Sequence, residues 1–79
     1  MIKVGQIYKT DTTETMFVVT YICDDFVSFI TNIGYANERY KTSMEKDITT
    51  KFIKLIAEYP TWQEAVNSKE FKDGIHSNS

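Results

Sequence analysis

The residues able to do chemistry are few and scattered. One cysteine, Cys23, and one histidine, His76, stand far apart in the chain, so the ligand spacing of a Cys/His metal site is missing. A carboxylate-only site would centre on Asp24-Asp25, but adjacent aspartates between two apolar runs read more simply as turn formers. Serines and threonines are plentiful. The only imidazole that can activate one, His76, falls in an expected frayed tail. Gly5, Gly34 and Gly74 are isolated, so there is no glycine-rich phosphate loop. A carboxylate pair can carry acid–base chemistry, but it also needs a pocket, which is about 300–1,000 Å³ in typical ligand sites. These residues point to no enzyme, no cofactor and no metal. Cys23 has two aspartates beside it rather than the cations that activate a thiol. Its plain reading is a small buried apolar residue of a strand.

Binding remains. Tyr35, Arg39, Tyr40 and Lys41 mix aromatics with cations, the combination that stacks bases and tracks phosphates. Lys51, Lys54, Lys69 and Lys72 make a second stripe if the last strand and the C-terminal helix are neighbours. Otherwise they are a solvated face balanced by Glu58, Glu64 and Glu70. The charge balance opposes a generic nucleic-acid binder: nine Lys and Arg stand against eleven Asp and Glu, a net charge of −2, while DNA affinity rests largely on phosphate neutralisation. The converse, an acidic mimic of DNA, requires Asp11, Glu14, Asp24 and Asp25 to gather at one end of the fold. Protein interfaces favour Tyr, Trp, Phe and Met over Lys and Glu, and 14% of this chain is aromatic. The tip Ile33-Gly34-Tyr35, set in a polar loop, is the best exposed apolar candidate. The alternative is that Ile33 and Tyr35 fold back as a lid on the core. Trp62 is either an interface anchor or the staple that docks a helix; its place beside Tyr59 favours the staple. The candidate partner-binding residues are Ile33, Tyr35, Arg39 and Tyr40.

The elements that must position them fit one small domain. The chain has 79 residues, 42% of them apolar and 25% charged, ordinary for a globular domain and too short for two. A large multi-step enzyme, a disulfide scaffold and a membrane-spanning helix are excluded. The first residues lack the apolar stretch of a secretory signal, and a lone cysteine suits a reducing compartment, so a soluble cytoplasmic protein is expected. Residues 4–9 read as a turn into a short strand and residues 10–14 as a Thr-rich loop. Residues 15–23, dense in β-branched and aromatic side chains, are a strand. Asp24-Asp25 turns the chain into a second hairpin strand over 26–31. Gly34 supplies a positive φ in the next loop, and residues 38–42 form a polar strand. Thr42 and Glu45 fit a capping box opening a helical turn over 43–47, followed by a strand over 52–58. The competing reading is one helix over 43–58, which the β-branched run Ile48-Thr49-Thr50 weakens. Pro60 ends either version. Thr61 and Glu64 form a second capping box for a helix over about 61–71, with Trp62, Ala65, Val66 and Lys69 on one face. Asp73-Gly74 stops it, and residues 74–79 are expected to be a disordered tail.

This order predicts a mainly β, α+β fold of residues 1–73: a small SH3-like antiparallel barrel, or a strongly bent sheet, of about five strands with a C-terminal helix. The opening Val4-Gly5-Gln6-Ile7-Tyr8 resembles the start of many SH3-like barrels. The stretch from Tyr59-Pro60-Thr61-Trp62 through Gln63-Glu64-Ala65-Val66 to Phe71 resembles the tail of small uncharacterised proteins encoded by phages and prophages of low-GC Gram-positive bacteria. Together these stretches cover under a quarter of the chain. The resemblance implies a phage accessory protein in the host cytoplasm. The expected function is a non-enzymatic module that binds a phage or host protein, with a homodimer through an edge strand as a further route. The alternative is a nucleic-acid-binding SH3-like or OB-like barrel.

Overall fold

Successive side chains of a strand point to opposite faces, so the apolar run Met16-Phe17-Val18-Val19 places two side chains on each side of whatever sheet contains it. In the computed structural model, which describes residues 1–11 and 15–76, all four are buried. They lie in the middle strand of a single antiparallel sheet. The strands are β1 Gln6–Thr10, β2 Met16–Ile22, β3 Phe26–Thr31, β4 Ala36–Tyr40 and β5 Ile53–Glu58, in the order β4-β3-β2-β1-β5. Helix α1, Lys41–Thr49, joins β4 to β5; α2, Trp62–Val66, and α3, Lys69–His76, follow.

Phe17 and Val19 join Ile2, Tyr8, Val27, Ile53 and the α1 residue Met44 in one core. Met16 and Val18 join Ile7, Ala65 of α2 and Phe71 of α3 in another. Helices therefore cover both faces, and each fully buried Val contributes about 1.5–3 kcal/mol. The five antiparallel strands and the C-terminal helical segment are as expected. The sheet is not closed: β4 and β5 are its edges, so of barrel and bent sheet the chain takes the open form. Both edge strands are antiparallel to their inner neighbours, which makes them parallel to each other. α1 carries the chain from one edge to the other across one face.

Tertiary contacts reset several boundaries. Lys41 N donates to Asp25 O at 2.7 Å, so α1 starts at Lys41 with Tyr40 as N-cap and no side-chain cap. The expected Thr42 cap is thus unused, and the helix exceeds the expected turn over 43–47. It ends in a Schellman motif: Phe52 N donates to Asp47 O (2.9 Å), Lys51 N donates to Ile48 O (3.2 Å), and Lys51 takes φ 66°. That stop frees Ile53–Glu58 to pair with β1, which rules out one helix over 43–58. Of the capping box expected at Thr61, the N-cap bond forms, with Glu64 N donating to Thr61 Oγ1 at 3.2 Å, while the Glu64 carboxylate accepts from the Thr61 hydroxyl at 3.3 Å. Trp62 packs into the second core, as the staple reading holds.

The expected single helix over 61–71 is two. Asn67 Nδ2 donates to Gln63 O (2.9 Å) and the Ser68 hydroxyl to Ala65 O (2.6 Å), while Ser68 Oγ accepts from Phe71 N (3.4 Å) and opens α3. Asp73-Gly74 does not stop α3, which reaches His76; of the expected tail, residues 74–76 are helical and 77–79 lie outside the described residues. Residues 12–14 of the expected loop also lie outside them.

The C-terminal pair is latched by Tyr59, whose hydroxyl donates to the Glu70 carboxylate. This bond holds the Tyr59 phenol above its ordinary value and the Glu70 carboxyl below its own. A raised Tyr stabilises the fold below its unfolded pKa and loses that contribution as pH rises through the folded value. A lowered Glu stabilises above its unfolded pKa and loses that as pH falls through the folded value. The latch is therefore expected to persist between ordinary Glu and Tyr titration and to weaken on both sides. Amide exchange in α3 should speed up at either extreme, and Tyr59→Phe should abolish both limbs; unchanged limbs in that variant would refute the latch.

Candidate functional site

Helices α2 and α3 sit over β1 and β2, and among the described residues they leave the β3–β4 half of that face uncovered. Strand register builds this half-face in rows. Tyr21, Ser28 and Glu38 lie side by side on β2, β3 and β4. Tyr21 reaches this face because Thr20 is an extra residue that shifts the β2–β3 register after Val19. In the next row Phe26 pairs with Tyr40, their rings stacked at 4.7 Å between centroids and 28° between planes. Tyr21 is 62% exposed and Tyr40 61%, while Phe26 is half-buried. Exposed Tyr side chains of this size are the type that protein interfaces favour.

The four sequence-picked residues do not form one site. Ile33 and Tyr35 are 59% and 65% exposed, a tip rather than a lid. Gly34 takes φ 93°, and Thr31 N donates to Tyr35 O at 2.7 Å while Tyr35 N donates to Thr31 Oγ1 at 3.0 Å. That tip lies at the far end of β4 from Tyr40, roughly 15 Å along the strand. Arg39 points to the α1 face, because it pairs with the buried Val27. Its guanidinium is half-buried and reaches Asp47 at 2.5 Å and Ser43 Oγ at 2.9 Å, so it ties β4 to α1. Of the four, Tyr40 alone stands on the uncovered half-face. Tyr21 and Phe26 were missed from sequence. Their signal was the hairpin itself, since aromatics flanking the Asp24-Asp25 turn return to one face.

The expected acidic gathering does not occur. Asp11 follows β1 and Asp24-Asp25 follow β2, so they sit at opposite ends of the sheet, about 20 Å apart by strand length; Glu14 lies outside the described residues. The lysine stripe is divided as well: α3 packs on β2 and α2, with β1 between β2 and the β5 that carries Lys54. Lys54 lies 3.8 Å from Asp11. Cys23 is exposed rather than buried, because it is the first turn residue after β2; its N donates to Phe26 O at 3.0 Å.

A groove of about 490 Å³ opens on the other face between the N-terminal segment, α1 and β5, with Ile2, Ile48 and Leu55 as apolar walls. Buried Gln6 organises it. Its Oε1 accepts from Tyr8 OH and Lys3 N, both at 2.7 Å; its Nε2 donates to Glu58 Oε1 (2.7 Å) and Met1 O (3.1 Å). Burial, then the Glu58 charge, pushes the Tyr8 phenol upward. These groups satisfy one another and clasp the N-terminal segment to the sheet.

Among the described residues no three His, Cys, Asp or Glu side chains converge to hold a metal ion, and no helix is long and apolar enough to cross a membrane. Comparison with protein-family models, with curated proteins and with solved structures finds no match to this chain.

Proposed function

We propose that this chain is a small non-enzymatic protein-binding module whose docking surface is the uncovered β3–β4 half-face. The observation that carries the reading is the exposure of Tyr21 and Tyr40 beside Phe26 on a sheet face that the helices leave bare. Buried aromatic anchors dominate most protein interfaces, and here they are already held rigid by strand pairing. The resemblance of its two ends to SH3-like and phage-encoded proteins extends the proposal to an accessory protein acting on a phage or host protein in the cytoplasm. The nucleic-acid reading has less support. Arg39 is committed to Asp47, and Lys41 and Lys54 belong to opposite sides of the sheet.

The test is a tagged pull-down from host-cell lysate, with and without nuclease, comparing the native chain with Tyr21→Ala and Tyr40→Ala. A stoichiometric protein that survives nuclease and falls at least about tenfold in both variants is expected, as for an interface anchor. Capture that disappears with nuclease, or is indifferent to both substitutions, would overturn the reading.

A further inference from the structure

The docking face carries a charge as well as rings. Glu38 stands on it between its cross-strand neighbour Ser28 and, two residues along the same strand, Tyr40, with Tyr21 one strand beyond Ser28. Neighbouring strands are about 4.8 Å apart, so the Tyr21 and Glu38 backbones are separated by about 10 Å, a span that two long side chains close. Glu38 is exposed and has no ion-pair partner among the described residues. Asp24 and Asp25, also exposed and unpaired, adjoin Phe26 at the end of the same hairpin. Of the two cations beside these groups, Arg39 points through the sheet to Asp47, and Lys41, whose N donates to Asp25 O at 2.7 Å, sets one positive charge against the three carboxylates. The face is thus aromatic and, on balance, negative.

Its complement is cationic. A guanidinium is planar, stacks on aromatic faces and forks onto carboxylates. A phosphate backbone would instead meet three carboxylates. We propose that the β3–β4 half-face docks a cationic protein segment, with an arginine side chain seated over Glu38 between the Tyr21 and Tyr40 rings and apolar neighbours against Phe26 and Ile30. This rests on the protein-binding reading above and names the chemistry of its partner. Asp24 and Asp25 supply the outer field that steers such a segment inward.

The full chain, 15N-labelled, is titrated with three probes: a capped hexapeptide alternating Arg and Leu, the same peptide with Glu for Arg, and a ten-residue oligothymidylate. The Arg/Leu peptide is expected to shift the amides of Tyr21, Phe26, Ser28, Glu38 and Tyr40. It should also slow maleimide alkylation of Cys23, whose Sγ lies 3.6 Å from Phe26 O. Affinity should fall as salt rises. Glu38→Gln should weaken binding roughly three- to fivefold, and Tyr21→Ala or Tyr40→Ala about tenfold. Tyr21→Ala leaves the Phe26–Tyr40 stack intact, and each variant's amide spectrum verifies its fold. Equal or tighter binding of the Glu/Leu peptide on these amides would overturn the cationic partner while sparing the docking face. Shifts confined to other surfaces, or no shift with either peptide, would overturn both. Binding of the oligothymidylate alone would replace them with a nucleic-acid interface.

Discussion

Gly5→Ala is expected to lower stability by about 2–5 kcal/mol. Gly5 takes φ 94°, a region that costs an L residue roughly 1–2 kcal/mol. A Cβ there would sit 2.1 Å from Tyr59 O and 3.1 Å from its carbonyl carbon. Those atoms are backbone, and they are held: Gly5 N donates to Val19 O at 2.9 Å and Tyr59 N donates to Gly5 O at 3.0 Å. Making room means pulling the end of β5 away from the start of β1. A loss of that size in so small a domain moves the thermal midpoint by roughly 10–30 °C. Gly34→Ala is the control. Its φ is 93°, but nothing lies within 4 Å of the added methyl, so only the conformational cost of roughly 1–2 kcal/mol remains. Thermal unfolding by circular dichroism compares the two, and equal losses would refute the close-approach argument.

Met44→Ala is the second large effect, about 2–5 kcal/mol. Met44 is fully buried and is the one buried residue of α1. It sits in the core formed by Phe17, Val19, Val27 and Ile53, so its removal opens a cavity beneath the helix. Urea denaturation should show a lower midpoint with an unchanged slope. Thr42→Ala, on the same helix, is expected to change stability by less than about 0.5 kcal/mol, because its hydroxyl caps nothing. A large Thr42 effect with a small Met44 effect would mean that α1 is held by its end rather than by its buried side.

Much of the strand content was legible because it rests on local chemistry. The β-branched density of β2 and β3, the Asp24-Asp25 turn and the Thr61 N-cap involve neighbours in sequence, and all appear. What escaped was decided by partners far along the chain. Nothing local announces that Lys41 N will find Asp25 O, yet that bond sets the start of α1. The continuous run Met16-Phe17-Val18-Val19 was a usable sign of burial on both faces, and it argues for a covered open sheet against a barrel. At the candidate site the aromatic tip and Tyr40 could be picked by type, and their exposure follows. The side of the sheet could not be read that way. Arg39 and Tyr40 are adjacent in sequence and therefore opposite in space, and Tyr21 reaches Tyr40's side only through the Thr20 bulge.

The edge-to-edge passage of α1 also orders events in time. β2, β3 and β4 pair with neighbours a few residues away and can zip together early. β1 meets β5 only when Gln6 finds Glu58, after most of the chain has been made and the helix has swung across. Long-range closure of this kind slows folding. Until it happens, one flank of β1 has its hydrogen-bonding groups bare, and a second nascent copy presents the same flank.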